Sequence, residues 1–253
     1  MDVNFFTVNA MSNGTRYSLL TENDCILSGL DWLDGYLLAP NIDRILSQPI
    51  ESKEFSTFSF DRGDRVKSVK LPTSVFTNPN WKDIASTLFS LESICCLSVN
   101  NNLGDESYLM ASSLAWLLNG LRNLHLIAFE NFSSCEFISL DEVVVNRIAS
   151  LGVSNCKLTS GFIGQFASKN NLVSLTLQNS QPVDDNVAKL LHRFTKLKNL
   201  VVVDCMGVVT DLPTILRCNP NMKSVWVDRS GNTASDASAC RIEFPQIEFC
   251  LEY

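Results

Sequence analysis

The chain has 253 residues, 45% of them hydrophobic and 19% charged, with a formal net charge of −7. That composition excludes a low-complexity chain and argues against a general nucleic-acid binder, whose phosphate contacts need clustered Lys and Arg. No stretch approaches the roughly 18 uncharged apolar residues of a membrane span. The opening, Met1 to Met11, has no basic region followed by an apolar core, so no secretory leader is expected.

Residues 1–53 read as helical. Thr21 with Asp24 opens a helix in which Ile26, Leu27, Leu30, Leu33 and Leu37 recur near helical spacing. Gly35 and the Ala39-Pro40-Asn41 turn interrupt it, and Ile42 to Leu46 forms a second short helix. Next, Phe55, Phe58 and Phe60 are followed by Asp61-Arg-Gly-Asp64 and then by Val66, Val69 and Leu71. Two apolar strands around a Gly-containing turn predict a hairpin, and its second strand doubles as the first strand of a repeat.

That repeat reads hydrophobic, two residues, hydrophobic, one residue, hydrophobic, then a small polar residue or Cys. The clearest copies are Ile148 to Leu158, Leu172 to Ser180 and Leu197 to Cys205. Taking the middle hydrophobic of each copy gives Val69, Leu97, Ile127, Leu151, Leu175, Leu200 and Val225, at steps of 28, 30, 24, 24, 25 and 25 residues. Helical patterns fill the intervals at Trp81 to Leu91, Glu106 to Leu121, Ser160 to Ala167, Asp184 to Phe194 and Leu212 to Arg217. Asp184-Asp185-Asn186 places acidic groups where a helix dipole favours them.

Strand plus helix at this period predicts a stacked α/β solenoid over residues 54–230, in which each repeat packs only on its neighbours. Its first repeat would expose an apolar edge, so residues 1–53 are expected to act as a helical cap. Beyond Val227, the polar run Ser230 to Ala239 predicts a loop. Alternation in Ile242 to Phe244 and Ile247 to Leu251 predicts a closing strand or hairpin, making 231–253 a loop with a short β cap.

The pattern resembles the leucine-rich repeat superfamily over about residues 64–230. Repeat length and Cys156 and Cys205 are similar to the cysteine-containing intracellular repeats of ubiquitin-ligase substrate receptors. Phe132, Ser74, Ser180 and Ser230 depart from the family's usual Asn or Cys. The resemblance implies a receptor, adaptor or scaffold, without enzymatic activity. An adaptor would carry a second docking element, such as an F-box or an elongin-binding box. The N-terminal segment lacks the Leu-Pro opening of an F-box. Ser18 to Cys25 approaches an elongin-binding box, yet the spacing from Leu20 to Cys25 is one residue too long, about 100° of helix rotation.

Strand alternation sends each marker residue and the residue two places later inward, so their neighbours line the opposite, concave face. The face is expected to be small and nearly uncharged in its middle. At its C-terminal end Val201, Val203 and Trp226 form an apolar patch edged by Gln178, Asn199, Asp204 and Asp228. Exposed Trp among polar residues is a common interface anchor. With Thr176, Glu130 and Asn100 on the same face, these are the candidate partner-binding residues for a protein or peptide, and the N-terminal helices are a second candidate docking element. A basic strip at Lys53, Arg62, Arg65, Lys67 and Lys70 is the one feature favouring an RNA-associated scaffold.

Nothing points to catalysis, a cofactor or a metal. Nine cysteines form no CxxC pair, and only His125 and His192 accompany them. No Ser-His-Asp spacing, phosphate loop or paired-carboxylate cleft is present. Free thiols fit a reducing compartment, cytoplasmic or nuclear. The sequons at Asn13 and Asn131 are then incidental. Alternation along a strand sends Cys95 and Cys96 to opposite faces, so that pair reads as structural.

Overall fold

The computed structural model describes residues 10–12, 15–17, 57–60, 66–77, 81–90, 92, 94–101, 111–136, 138–209, 211–228 and 234–252. Most of the segment read as a helical cap lies outside them. Its two described pieces are short strands, β1 (Ala10–Ser12) and β2 (Thr15–Tyr17), paired antiparallel.

The repeats build one nine-stranded sheet. Strand β3 (Thr57–Phe60) pairs antiparallel with β4 (Val66–Pro72), as the hairpin pattern predicts. From β4 onward every neighbour is parallel. The strands are β5 (Cys96–Asn100), β6 (Leu126–Glu130), β7 (Ser150–Ser154), β9 (Ser174–Gln178), β11 (Asn199–Val203), β12 (Ser224–Asp228) and β13 (Glu248–Glu252). Two-residue strands β8 (Lys157–Leu158) and β10 (Gln181–Pro182), which follow the C-terminal ends of β7 and β9, pair separately.

Parallel strands need crossover connections, and these supply the helical layer. Its members are α1 (Trp81–Ser90), α2 (Ala111–Gly120), α3 (Glu142–Arg147), α4 (Ser160–Lys169), α5 (Asn186–Leu191), α6 (Leu212–Cys218) and α7 (Ala234–Glu243). Thr159 caps α4 by accepting from the Phe162 N–H at 3.2 Å, and Asp211 caps α6 by accepting from the Thr214 N–H at 3.0 Å.

Register follows the sequence pattern. Val69, Leu97, Ile127, Leu151, Leu175, Leu200 and Val225 stand opposite one another, and Phe249 extends the column by one. The first seven are 1% exposed or less. A single-residue slip would turn every one of them onto the opposite face, which is why burial fixes the register so firmly.

Each central strand ends when the backbone turns left-handed. Asn131, Asn155, Asn179 and Asp204 have φ of 64°, 54°, 44° and 54°, a region that Asn and Asp enter more readily than other side-chain-bearing residues. The residue after the turn points back into the core. At Cys156, Ser180 and Cys205 it forms a buried ladder running across the repeats. Phe132 N–H donates to Cys156 Sγ (3.4 Å), Cys156 N–H to Ser180 Oγ (3.1 Å) and Ser180 N–H to Cys205 Sγ (3.3 Å). Each of the three side chains in turn donates to a carbonyl two residues earlier, that of Ser154, Gln178 or Val203, at 2.8–3.1 Å. Ser180, a departure in the sequence pattern, does the same work as its cysteine neighbours. Phe132 instead fills its position with a ring, edge-on to Phe129 with centroids 5.9 Å apart.

At the C-terminal end the expected closing strand forms, as β13, while the expected loop is partly helical. Part of the polar run is helix α7, and β13 joins β12 in parallel as one further turn of the solenoid. Arg217 of α6 holds Glu243 of α7 through two hydrogen bonds of 2.7 and 2.9 Å, and Cys240 is fully buried beneath them. Ile242, read as part of a strand, lies in the last turn of α7 and is exposed.

Candidate functional site

The residues alternating with the core columns form three rows across the opposite sheet face. One row runs Cys96, Leu126, Ser150, Ser174, Asn199 and Ser224. The next runs Lys70, Ser98, Ala128, Gly152, Thr176, Val201 and Trp226. The third runs Asn100, Glu130, Ser154, Gln178, Val203 and Asp228.

These rows place every candidate residue on one face and divide them between its ends. Thr176, Gln178, Asn199, Val201, Val203, Trp226 and Asp228 occupy the adjacent strands β9, β11 and β12. Asn100 and Glu130 lie on β5 and β6, separated from that group by β7.

Exposure divides the face further. Ser150, Ser174, Thr176, Asn199, Val201, Val203 and Asp228 are 2–7% exposed, so the expected open apolar patch is largely closed. Each short side chain sits between column neighbours one strand spacing away, about 4.8 Å, and Val201 is flanked by Thr176 and by the bulk of Trp226. Trp226 is half-buried, with its indole nitrogen shielded from solvent. Asn199 Oδ1 accepts from Ser224 Oγ at 2.9 Å. Asn100, Glu130, Ser154, Gln178 and Trp226 keep partial access to solvent.

Two polar arrays accompany this strip. The first joins three strands: Lys70 Nζ lies 2.5 Å from Glu130 Oε2, and Ser98 Oγ donates to Glu130 Oε1 at 2.9 Å. Lys70 and Glu130 are 34% and 26% exposed, so the pair keeps a solvated edge and is worth little in stability. Its consequence is electrostatic, because the Lys70 cation of the basic strip is already neutralised.

The second array is a ladder of exposed amides at the left-handed turns. Asn131 Nδ2 donates to Asn100 Oδ1 (2.8 Å), Asn155 Nδ2 to Asn131 Oδ1 (2.9 Å) and Asn179 Nδ2 to Asn155 Oδ1. An amide offers two donors and two lone pairs, so Asn131 and Asn155, bonded on both sides, each retain one donor and one acceptor facing outward. The signal was in the sequence, an Asn four residues after each of three successive markers, but apolar periodicity does not read it. The same bonds engage Asn131, the acceptor of one sequon, at both ends of its amide.

The thiols divide by burial. Cys135, Cys156, Cys205 and Cys240 are buried, whereas Cys95, Cys96 and Cys218 are half-buried, and none of these seven is in a disulfide. Burial pushes the Cys205 thiol up to about 12. Cys135 holds its proton because its thiol is hydrogen-bonded to Cys156, with burial acting in the same direction. Such groups are poor nucleophiles, since the thiolate is the reactive form. The Cys95 and Cys96 sulfurs, expected on opposite faces, lie 3.6 Å apart. Cys95 stands just before β5, where strict alternation has not begun.

His125 contributes its backbone to the inter-strand ladder, its N–H donating to the Cys95 carbonyl at 3.0 Å. His192 is the residue after α5. Among the described residues, no group of three or more His, Cys, Asp or Glu is arranged to hold a metal ion, and no helix is long and apolar enough to cross a membrane.

One strand and one outer segment per repeat, a single core register and a side-chain ladder at the strand ends decide the architecture. The fold is a leucine-rich-repeat solenoid. No family model and no curated protein sequence matches the chain. Among solved structures it is similar to an internalin from Listeria monocytogenes, with 21% identity and a TM-score of 0.44, over 65% of this chain and 42% of that one. It is also similar to a leucine-rich-repeat protein from Leptospira interrogans, with 16% identity and a TM-score of 0.37, over 62% of this chain and 41% of the other. This solenoid therefore spans well under two thirds of the length of either.

Proposed function

We propose that the chain is a non-enzymatic interaction module that holds a protein or peptide partner along its concave sheet. The observation that carries this reading is the partly exposed strip Asn100, Glu130, Ser154 and Gln178, flanked by the amide ladder and ended by Trp226. Outward amides match the alternating donors and acceptors of a peptide backbone. Trp226 supplies an aromatic edge at one end of the strip and Glu130 a carboxylate near the other. The buried small residues beside the strip leave a smooth floor that permits close approach.

A ubiquitin-ligase adaptor role depends on residues 18–37, which lie outside the described residues. The RNA-scaffold reading loses support from the Lys70–Glu130 ion pair, which removes one of its five cations. The test is affinity capture with wild type, Trp226→Ala, Gln178→Ala and the helical-face control Lys169→Ala, each checked for folding by circular dichroism. Partners lost by both concave variants and kept by the control support the proposal. Partners kept by both concave variants contradict it.

A further inference from the structure

We propose that Cys95 and Cys96 form a hydroperoxide-sensitive dithiol that closes reversibly to a disulfide between adjacent residues. Their sulfurs are already in contact at 3.6 Å, and both side chains are half-buried, so a small oxidant reaches them without unfolding the chain. Cys135, Cys156, Cys205 and Cys240 are closed off by comparison. Among the described cysteines Cys218 has similar access, which makes it the internal control.

The chemistry balances in two steps. One thiolate attacks a peroxide oxygen; the O–O bond breaks, an alcohol or water leaves with the proton, and a sulfenic acid remains. The neighbouring thiol then attacks that sulfur, the S–S bond forms and water departs. The two sulfurs together lose two electrons and the peroxide gains them. Adjacent Cα atoms across a trans peptide are about 3.8 Å apart, shorter than the usual 4.4–6.8 Å of a disulfide, so the ring is strained and easily reduced.

The position gives closure a structural outlet. The Cys95 carbonyl accepts the N–H groups of His125 and Leu126 at 3.0 and 3.2 Å, tying the start of β5 to that of β6. Ring closure turns the peptide that carries this carbonyl. Cys96 also lies two residues before Ser98, the donor to Glu130, so oxidation acts beside the accessible strip.

The test treats the reduced full-length protein with hydrogen peroxide, then blocks remaining thiols and reads each cysteine peptide by mass spectrometry. The expected result is loss of two hydrogen atoms from the peptide holding Cys95 and Cys96, with no alkylation of either, reversed by a thiol reductant. Amide exchange at His125 and Leu126 speeds up in the oxidised form. An aryl arsenoxide, which chelates paired thiols, binds wild type and Cys218→Ser but not Cys95→Ser or Cys96→Ser, each checked for folding. Both thiols remaining open to alkylation while Cys218 oxidises would overturn the proposal. So would linkage of either to another cysteine, arsenical binding retained by Cys95→Ser, or unchanged exchange at the two amides.

Discussion

Between β7 and β13 successive markers are 24 or 25 residues apart, and Cys156, Ser180 and Cys205 carry hydrogen bonds from repeat to repeat. Between β4 and β6 the spacing is 28 and 30, and rings take over. Trp116 meets Trp81 edge-on at 5.2 Å and Phe89 at 4.8 Å. The same sheet is thus closed by two means. A small polar side chain satisfies backbone groups in little volume and suits a short repeat. A longer connection leaves more space beside the strand, which aromatic side chains fill. Register in this solenoid therefore belongs to the strand columns and does not depend on a uniform ladder.

The contrast is tested most severely at the boundary of the two regions by Phe132→Cys, which installs a ladder residue where a ring now stands beside Cys156. Phe132 is 1% exposed, and large-to-small changes at such sites cost about 3 kcal/mol or more because the cavity collapses only in part. Urea unfolding should show that loss. An unchanged midpoint would mean the ladder, not the rings, decides stability there.

Ser180 tests the other half. Ser180→Val keeps the volume roughly but leaves the Cys156 N–H without its acceptor, which costs about 1–3 kcal/mol. Ser180→Cys restores an acceptor and should lose far less. Equal losses in the two variants would show that the ladder adds no stability.

Gly120 reports on how tightly the aromatic region is filled. A Cβ there would lie 2.1 Å from the Phe89 ring, so Gly120→Ala forces the ring to move against Trp116. Overpacking of this kind costs about 1–3 kcal/mol. A stabilised Gly120→Ala would show that the ring swings away freely.

The smallest effect concerns acid. The Ser160 N–H, at 3.1 Å, holds the Asp184 carboxyl below its usual range, assisted by the Asn186 N–H. A carboxylate depressed in the folded state contributes stability above its unfolded pKa and loses it as pH falls through the folded value. Asp184→Asn should therefore lower stability at neutral pH and flatten its fall on the acid side, so that urea midpoints of variant and wild type converge below about pH 4.

Much of this architecture was legible because apolar periodicity encodes burial directly. All seven markers stand in one column, and a helix occurs in each of the five predicted spans, beginning at Trp81, Ser160 and Leu212 as expected, two residues late at Asn186, and with α2 inside Glu106 to Leu121. Helix α3 was not legible, because its Val143-Val144-Val145 run favours strand locally. Tertiary packing overrides that preference by burying Val144 and Val145 and leaving Val143 exposed. Helix α7 was hidden by a run of small polar residues whose helical character depends on docking against α6. The face was legible in direction but not in exposure. Alternation names which residues share a side, whereas the burial of Val201 and Val203 depends on what stands next to them on neighbouring strands.

Whether the concave sheet holds the partner is decided by capture with wild type against Trp226→Ala and Lys169→Ala, with folding verified in each. A concave binding surface predicts that a partner is lost with Trp226→Ala and retained with Lys169→Ala. A partner retained by Trp226→Ala and lost by Lys169→Ala would move the binding surface to the helical face and contradict that assignment.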